Sequence, residues 1–185
     1  MCAGDVRGIG DTRPEVGRGN PGYTIPHDAE DEFAWASLIL GTPLLAQRIT
    51  DILALVQAVR NGMGGADQRV VLAARGRLSV PALFAFAASR DVDSLYLAGS
   101  LVSFQNLLET ELYTAPLANF AWDLFRYTDL PQLAAQSSPR RIHLAGAVDA
   151  TNRSMPADGV RKSYPSENVT ISAAAAWDYA ALQSV

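Results

Sequence analysis

Residues 70–80 read VVLAARGRLSV, and residues 81–90 continue as PALFAFAASR. A β-branched apolar run that stops at a small residue and re-emerges as a hydrophobic helix is how a parallel α/β protein holds a reactive side chain above its sheet. The turn is Ala74-Arg75-Gly76-Arg77-Leu78, and its tip is glycine. Working outward, buried-strand character is found at Val70–Ala73 and again at Ser94–Ala98 (SLYLA), Arg141–Ala147 (RIHLAGA) and Asn168–Ser172 (NVTIS). Helical segments separate all four. Alternating strands and helices predict βαβ units, hence a three-layer α/β fold with a mostly parallel sheet and helices on both faces.

Upstream of the turn, Asp28 is placed to cap a helix whose first turn (Ala29, Glu30, Asp31, Glu32) is acidic and complements the helix dipole. That helix is apolar from Phe33 to Leu40 and stops at Gly41. Thr42-Pro43 starts a second helix, in which Leu44, Leu45, Ile49, Ile52, Leu53, Val56 and Val59 recur at three- and four-residue steps. Gln47, Arg48, Asp51, Gln57 and Arg60 then fall on the opposite, polar face. Residues 11–28 and the NGMGGAD stretch at 61–67 read as loops; the second precedes a strand and lacks a following Lys-Ser or Lys-Thr, so it is not a phosphate cradle. Residues 101–136 are long for a crossover and predict an excursion of short helices, with Asp129 or Thr128 capping Leu130–Gln136 around Pro131.

The chain has 185 residues, 49% hydrophobic and 18% charged, which suits one globular domain over 1–185. A net charge of −4 with its fifteen Lys and Arg scattered leaves no electrostatic footprint for nucleic acid. The single cysteine, Cys2, excludes an intrachain disulfide and, near the terminus with no neighbouring histidine, reads as structural. No apolar stretch approaches the roughly 18 residues that span a bilayer, and no basic and apolar leader opens the chain. A soluble chain with no membrane partner and no export signal is expected, its compartment undetermined. The acids of HDAEDE (27–32) are sequential on a predicted helix and read as a solvated first turn, so no metal and no cofactor is expected. Asn152-Arg153-Ser154 and Asn168-Val169-Thr170 match glycosylation sequons by chance.

In an open parallel sheet, ligands gather at the carboxyl ends of the strands. Three loops leave those ends: Ala74–Leu78, the Asp149 loop and Ala173–Ala176. A turn into a helix, then an acid, then a loop after the last strand is the nucleophile, acid, histidine order of the α/β-hydrolases.

The residues also resemble a family. DVRGIGDTRP (5–14) is similar to the loop after the fourth strand of bacterial acetyl xylan esterase-like and cephalosporin-C deacetylase-like α/β-hydrolases. LGTPLLAQRITDIL (40–53) is similar to their helix before the nucleophile turn. SLYLAGSLVSF (94–104), ETELYTAPLANF (109–120) and TDLPQLAAQSSPRRIHLAGAVDA (128–150) resemble their C-terminal half. The resemblance covers nearly the whole chain from Asp5. It implies that the family's first three strands lie upstream of Met1 or are absent, and that active relatives cleave acyl esters of sugars through a serine acyl-enzyme. In those relatives the turn is Gly-x-Ser-x-Gly, so Gly76 stands at the nucleophile position and Asp149 at the acid position.

Glycine has no oxygen to attack an ester, so the covalent step cannot run from residue 76. Ser79 lies about a helical turn onward and reads as structural. Of the two histidines, His143 falls within a strand and reads as a satisfied, half-buried side chain, and His27 as a surface residue. The oxyanion amide that the family draws from the loop after its third strand is not in this chain. Asp149 is equally suited to an Asx turn. Tyr113, Phe120, Trp122, Phe125 and Tyr127 are candidates either for a sugar-facing cleft or for the core of the excursion.

The sequence therefore predicts a catalytically degenerate or fragmentary hydrolase-like domain whose partner is an acylated sugar or small ester. The alternatives are a non-catalytic carbohydrate-binding or protein-interaction module, or one domain of a larger hydrolase. A truncated sheet would also expose a strand edge, so self-association is expected.

Overall fold

The computed structural model describes residues 2–12, 29–62 and 68–185. His27, Asp28 and most of the predicted loop at 11–28 lie outside the described residues. In chain order the elements are α1 (Ala29–Ile39), α2 (Leu44–Gly62), β1 (Val71–Arg75), α3 (Ser79–Ala88), β2 (Ser94–Ala98) and α4 (Phe104–Leu108). They continue with α5 (Leu124–Tyr127), α6 (Leu130–Gln136), β3 (Arg141–Ala145), α7 (Ala157–Ser163), β4 (Val169–Ser172) and α8 (Tyr179–Ser184). The strands pair in chain order, β1-β2-β3-β4, and every pair is parallel, with Val71 opposite Ser94, Ser94 opposite Arg141 and Ile142 opposite Val169.

The fold is α/β, a four-stranded parallel sheet flanked by helices. Strand alternation sends Leu95, Leu97, Ile142 and Leu144 to one face, where they pack with Ile52 and Val56 of α2, Leu83 and Phe86 of α3 and Leu130 of α6. Tyr96, Ala98 and Ala145 point to the other face and meet Val185, Ala181 and Leu182 at the C-terminal helix. One side of the sheet thus carries the main core and the other a thin cover.

The strand boundaries shift from those read in the sequence. β1 begins one residue later and runs two further, to Arg75, because pairing with β2 continues through Ala98. β3 stops at Ala145, because Gly146 turns the chain at φ +56°. Asp129 is the cap of α6: its carboxylate accepts from the Leu130 amide at 2.6 Å, and Gln132 closes the capping box with Pro131 in the first turn. The same carboxylate accepts from the Phe104 and Gln105 amides at the start of α4.

Two residues read as solvated are buried. Arg48 of α2 has no exposed side-chain surface, and Glu30 of α1 is only 7% exposed. The periodicity put Arg48 on the polar face, but the loop at Arg7 and helix α1 close over that face, and Arg48 pairs there with Glu30 at 2.5 Å. Among the described residues no single helix is long and apolar enough to cross a membrane, and no cluster of metal-ligating side chains is found.

Candidate functional site

β1 delivers the chain to Gly76 at the carboxyl edge of the sheet. Residues Gly76–Leu78 make one 3₁₀ turn, and α3 starts at Ser79. Gly76 sits at φ +57°, where side chains are disfavoured, and a Cβ built there would meet no atom within 4 Å. The turn holds a left-handed backbone that suits glycine and is open above its tip.

The other wall comes from the end of β3. Beyond Gly146 the chain stays beside β2: the Val148 amide donates to the Ser100 carbonyl at 2.8 Å, and the Val102 amide to the Val148 carbonyl at 2.9 Å. This places Asp149 past the sheet edge. One of its oxygens, Oδ1, accepts from the Thr151 amide, the Thr151 hydroxyl and the Arg153 amide at 2.8, 2.8 and 2.9 Å. The Arg153 amide and Thr151 hydroxyl hold the carboxyl below the usual carboxylate range. The geometry is an Asx turn, and it leaves Oδ2 without a hydrogen bond among the described residues.

Gly76 and Asp149 line one cleft of about 240 Å³, together with Arg77, Gly99, Asn119 and Phe120. The excursion supplies the last two. Asn119 is nearly buried; its amide nitrogen donates to the Arg77 carbonyl at 3.1 Å, and its Oδ1 is buried without a partner. Asn119 was not singled out in the sequence, and nothing local marks it, because its role depends on a contact with the turn at Arg77. Phe120 meets Tyr113 and Phe125 edge to face at 6.0 and 5.7 Å, while Phe125 stacks on Phe104 at 4.6 Å. Phe120 and Phe125 thus belong to the core of the excursion, whereas Tyr113, Trp122 and Tyr127 are exposed. The Trp122 indole donates to the Leu38 carbonyl at 3.0 Å and ties the excursion to α1.

Ser79 is fully buried with an unpartnered hydroxyl and does not line the cleft. Nor, among the described residues, does a histidine line it. His143 stacks on Tyr96 at 4.9 Å, and its two ring nitrogens are hydrogen-bonded to the Thr170 and Ser172 hydroxyls at 2.9 and 3.0 Å. Desolvation holds its pKa below the ordinary histidine value, with Asp178 opposing weakly. The loop at 173–176 crosses the ends of β2 and β3, where Ala176 accepts from the Tyr96 hydroxyl at 2.7 Å. Asn168 of the second sequon spends its amide on the Ala134 and Arg140 carbonyls, both at 3.0 Å.

Among the described residues the cleft therefore offers a carboxylate, an orphaned amide oxygen and an aromatic ring, with no serine, cysteine or histidine on its wall. It can hold a polar ligand against an apolar wall.

No family model and no curated protein matches the sequence. In structure the chain is similar to a Bacteroides fragilis protein described provisionally as an acetyl xylan esterase, with a TM-score of 0.64 and 17% identity. The match covers 91% of this chain and 45% of that one, so this chain spans under half the neighbour's length. At that identity the likeness speaks for the fold alone.

Proposed function

We propose that the cleft binds an acylated sugar or small ester without turning it over, as a carbohydrate-esterase-like domain degenerate at its nucleophile position. One observation carries this reading. The turn after β1 keeps the left-handed backbone and open space that a nucleophile needs, yet holds Gly76, while Asp149 lines the same cleft. The proposal treats 1–185 as a single domain, with 101–136 as an excursion that roofs the cleft. Asn119 Oδ1 would accept from a sugar hydroxyl, and Phe120 would lie against the ring.

Calorimetric titration with acetylated xylo-oligosaccharides tests it, alongside assays of acetate release and of p-nitrophenyl acetate hydrolysis. Saturable binding that weakens in Asn119→Ala, with no release of acetate, is expected. Ester turnover that disappears in Asp149→Asn overturns it.

A second reading follows from the neighbour, whose chain is more than twice as long as the part matched here. In it, this chain is one domain of a larger hydrolase whose active centre lies elsewhere. Turnover by a longer reading frame, absent from the 185-residue chain, would favour that alternative. In either case β1 is one of the sheet's two edge strands, and self-association through it is part of the proposal.

A further inference from the structure

A larger cavity, about 520 Å³, lies between the loop at Arg7–Gly10, α1 and α2. Arg48 enters it from α2 with its side chain wholly buried. Its Nε donates to the Arg7 carbonyl at 3.2 Å and its Nη1 to Glu30 Oε1 at 2.5 Å. Its Nη2 is buried and has no partner. Gly8, at φ +80°, makes room beside that nitrogen, because a Cβ at residue 8 would come within 3.3 Å of it.

Charge and lining together define what belongs there. Glu30 is bonded by Arg77 as well as by Arg48, so one carboxylate serves two guanidinium groups. Arg7, also on the wall, is paired with Asp51. Among the described lining residues, positive charge exceeds negative. The rest of the wall includes Ile9, Phe33 and Leu40, which present apolar surface. A buried guanidinium N–H left unpaired is unfavourable, and an anionic oxygen is its strongest acceptor.

We propose that this cavity binds an organic monocarboxylate, one oxygen accepting from Arg48 Nη2 and the apolar body lying against Phe33 and Leu40. The site shares only Arg77 with the Gly76–Asp149 cleft and does not depend on the function proposed for that cleft. A carboxylate fits better than a phosphate because one buried nitrogen of Arg48 lacks a partner and the wall includes the apolar Phe33 and Leu40.

Isothermal titration of the full chain with hexanoate, hexanol and inorganic phosphate tests the proposal. Hexanoate is expected to bind saturably and more tightly than either of the others, and Arg48→Met to weaken it roughly tenfold or more. Phe33→Ala removes a side chain that is 47% exposed, so the fold is expected to survive while hexanoate binding weakens. Phe33→Ala decides the matter if Arg48→Met does not fold. Asp149→Asn is expected to leave hexanoate binding unchanged. Equal binding of hexanol, tighter binding of phosphate, or hexanoate affinity unaltered in both Arg48→Met and Phe33→Ala overturns the proposal. So does no saturable binding by any of the three, which would mean that Nη2 is met by water alone.

Discussion

The backbone of Ala175 fills the space that a side chain at Gly146 would need. The loop after β4 is thereby pressed onto the end of β3, and only glycine at 146, with φ +56°, allows the approach. Gly146→Ala combines a disfavoured φ with a backbone clash and is expected to destabilise the fold by about 2–5 kcal/mol. Gly99→Ala is a built-in comparison: its φ is +62°, but the nearest atom to its Cβ, on Ala175, is at an ordinary 3.9 Å. It should cost only about 1–2 kcal/mol. Urea unfolding of the two variants checks the ranking.

Gly76→Ser adds a hydroxyl at a position where nothing stands in its way. The backbone alone opposes it, by about 1–2 kcal/mol, which lowers the melting temperature by roughly 2–8 °C in a chain of this size. No ester turnover is expected to appear, because among the described residues no histidine lines the cleft to take the proton. Calorimetry with a p-nitrophenyl acetate assay reads both effects.

Asp149→Ala deletes the acceptor of three hydrogen bonds and should destabilise by about 1–2 kcal/mol, whereas Asp149→Asn keeps a carbonyl oxygen in place and should lose less. The carboxyl titrates lower in the fold than in the unfolded chain, so its contribution is present above the ordinary aspartate value and disappears as pH falls through the folded value. Both variants should flatten the acid limb of a stability profile recorded below about pH 4.

His143 carries the same sign in a higher pH window. Its folded pKa lies below the ordinary value, so the unfolded chain binds the proton more readily and stability declines as pH drops beneath about 6.5. His143→Gln is expected to remove that part of the decline. Melting temperatures of both proteins between pH 7 and pH 5 measure it; an unchanged slope contradicts the assignment.

Ala73 is an exposed residue of the edge strand β1. Ala73→Lys should leave melting within about 0.5 kcal/mol of the parent while reducing self-association, since a lysine on an open edge opposes pairing with another strand. Light scattering over a concentration series distinguishes the two chains.

What the sequence disclosed was chiefly local. SLYLA and RIHLA are strands whose alternation puts Leu95, Leu97, Ile142 and Leu144 on the core face. Gly76 was legible because a strand that breaks into a helix at a glycine has few other geometries available. Asp129 declared itself through the proline and glutamine that follow it. Arg48 did not, because a helical period tells which side a residue faces but not what will come to cover it. The partners that bury it, Arg7 and Glu30, are 41 and 18 residues away. Asn119 was hidden for the same reason, since its amide bonds a carbonyl 42 residues distant.

Because strands adjacent in the sheet are also consecutive in the chain, the sheet can be extended in the order of synthesis. A nascent chain could seat β2 on β1, and β3 on β2, before β4 has left the ribosome. Helix α8 follows β4 in the chain, so it can cover its face of the sheet only after the segments of all four strands have emerged.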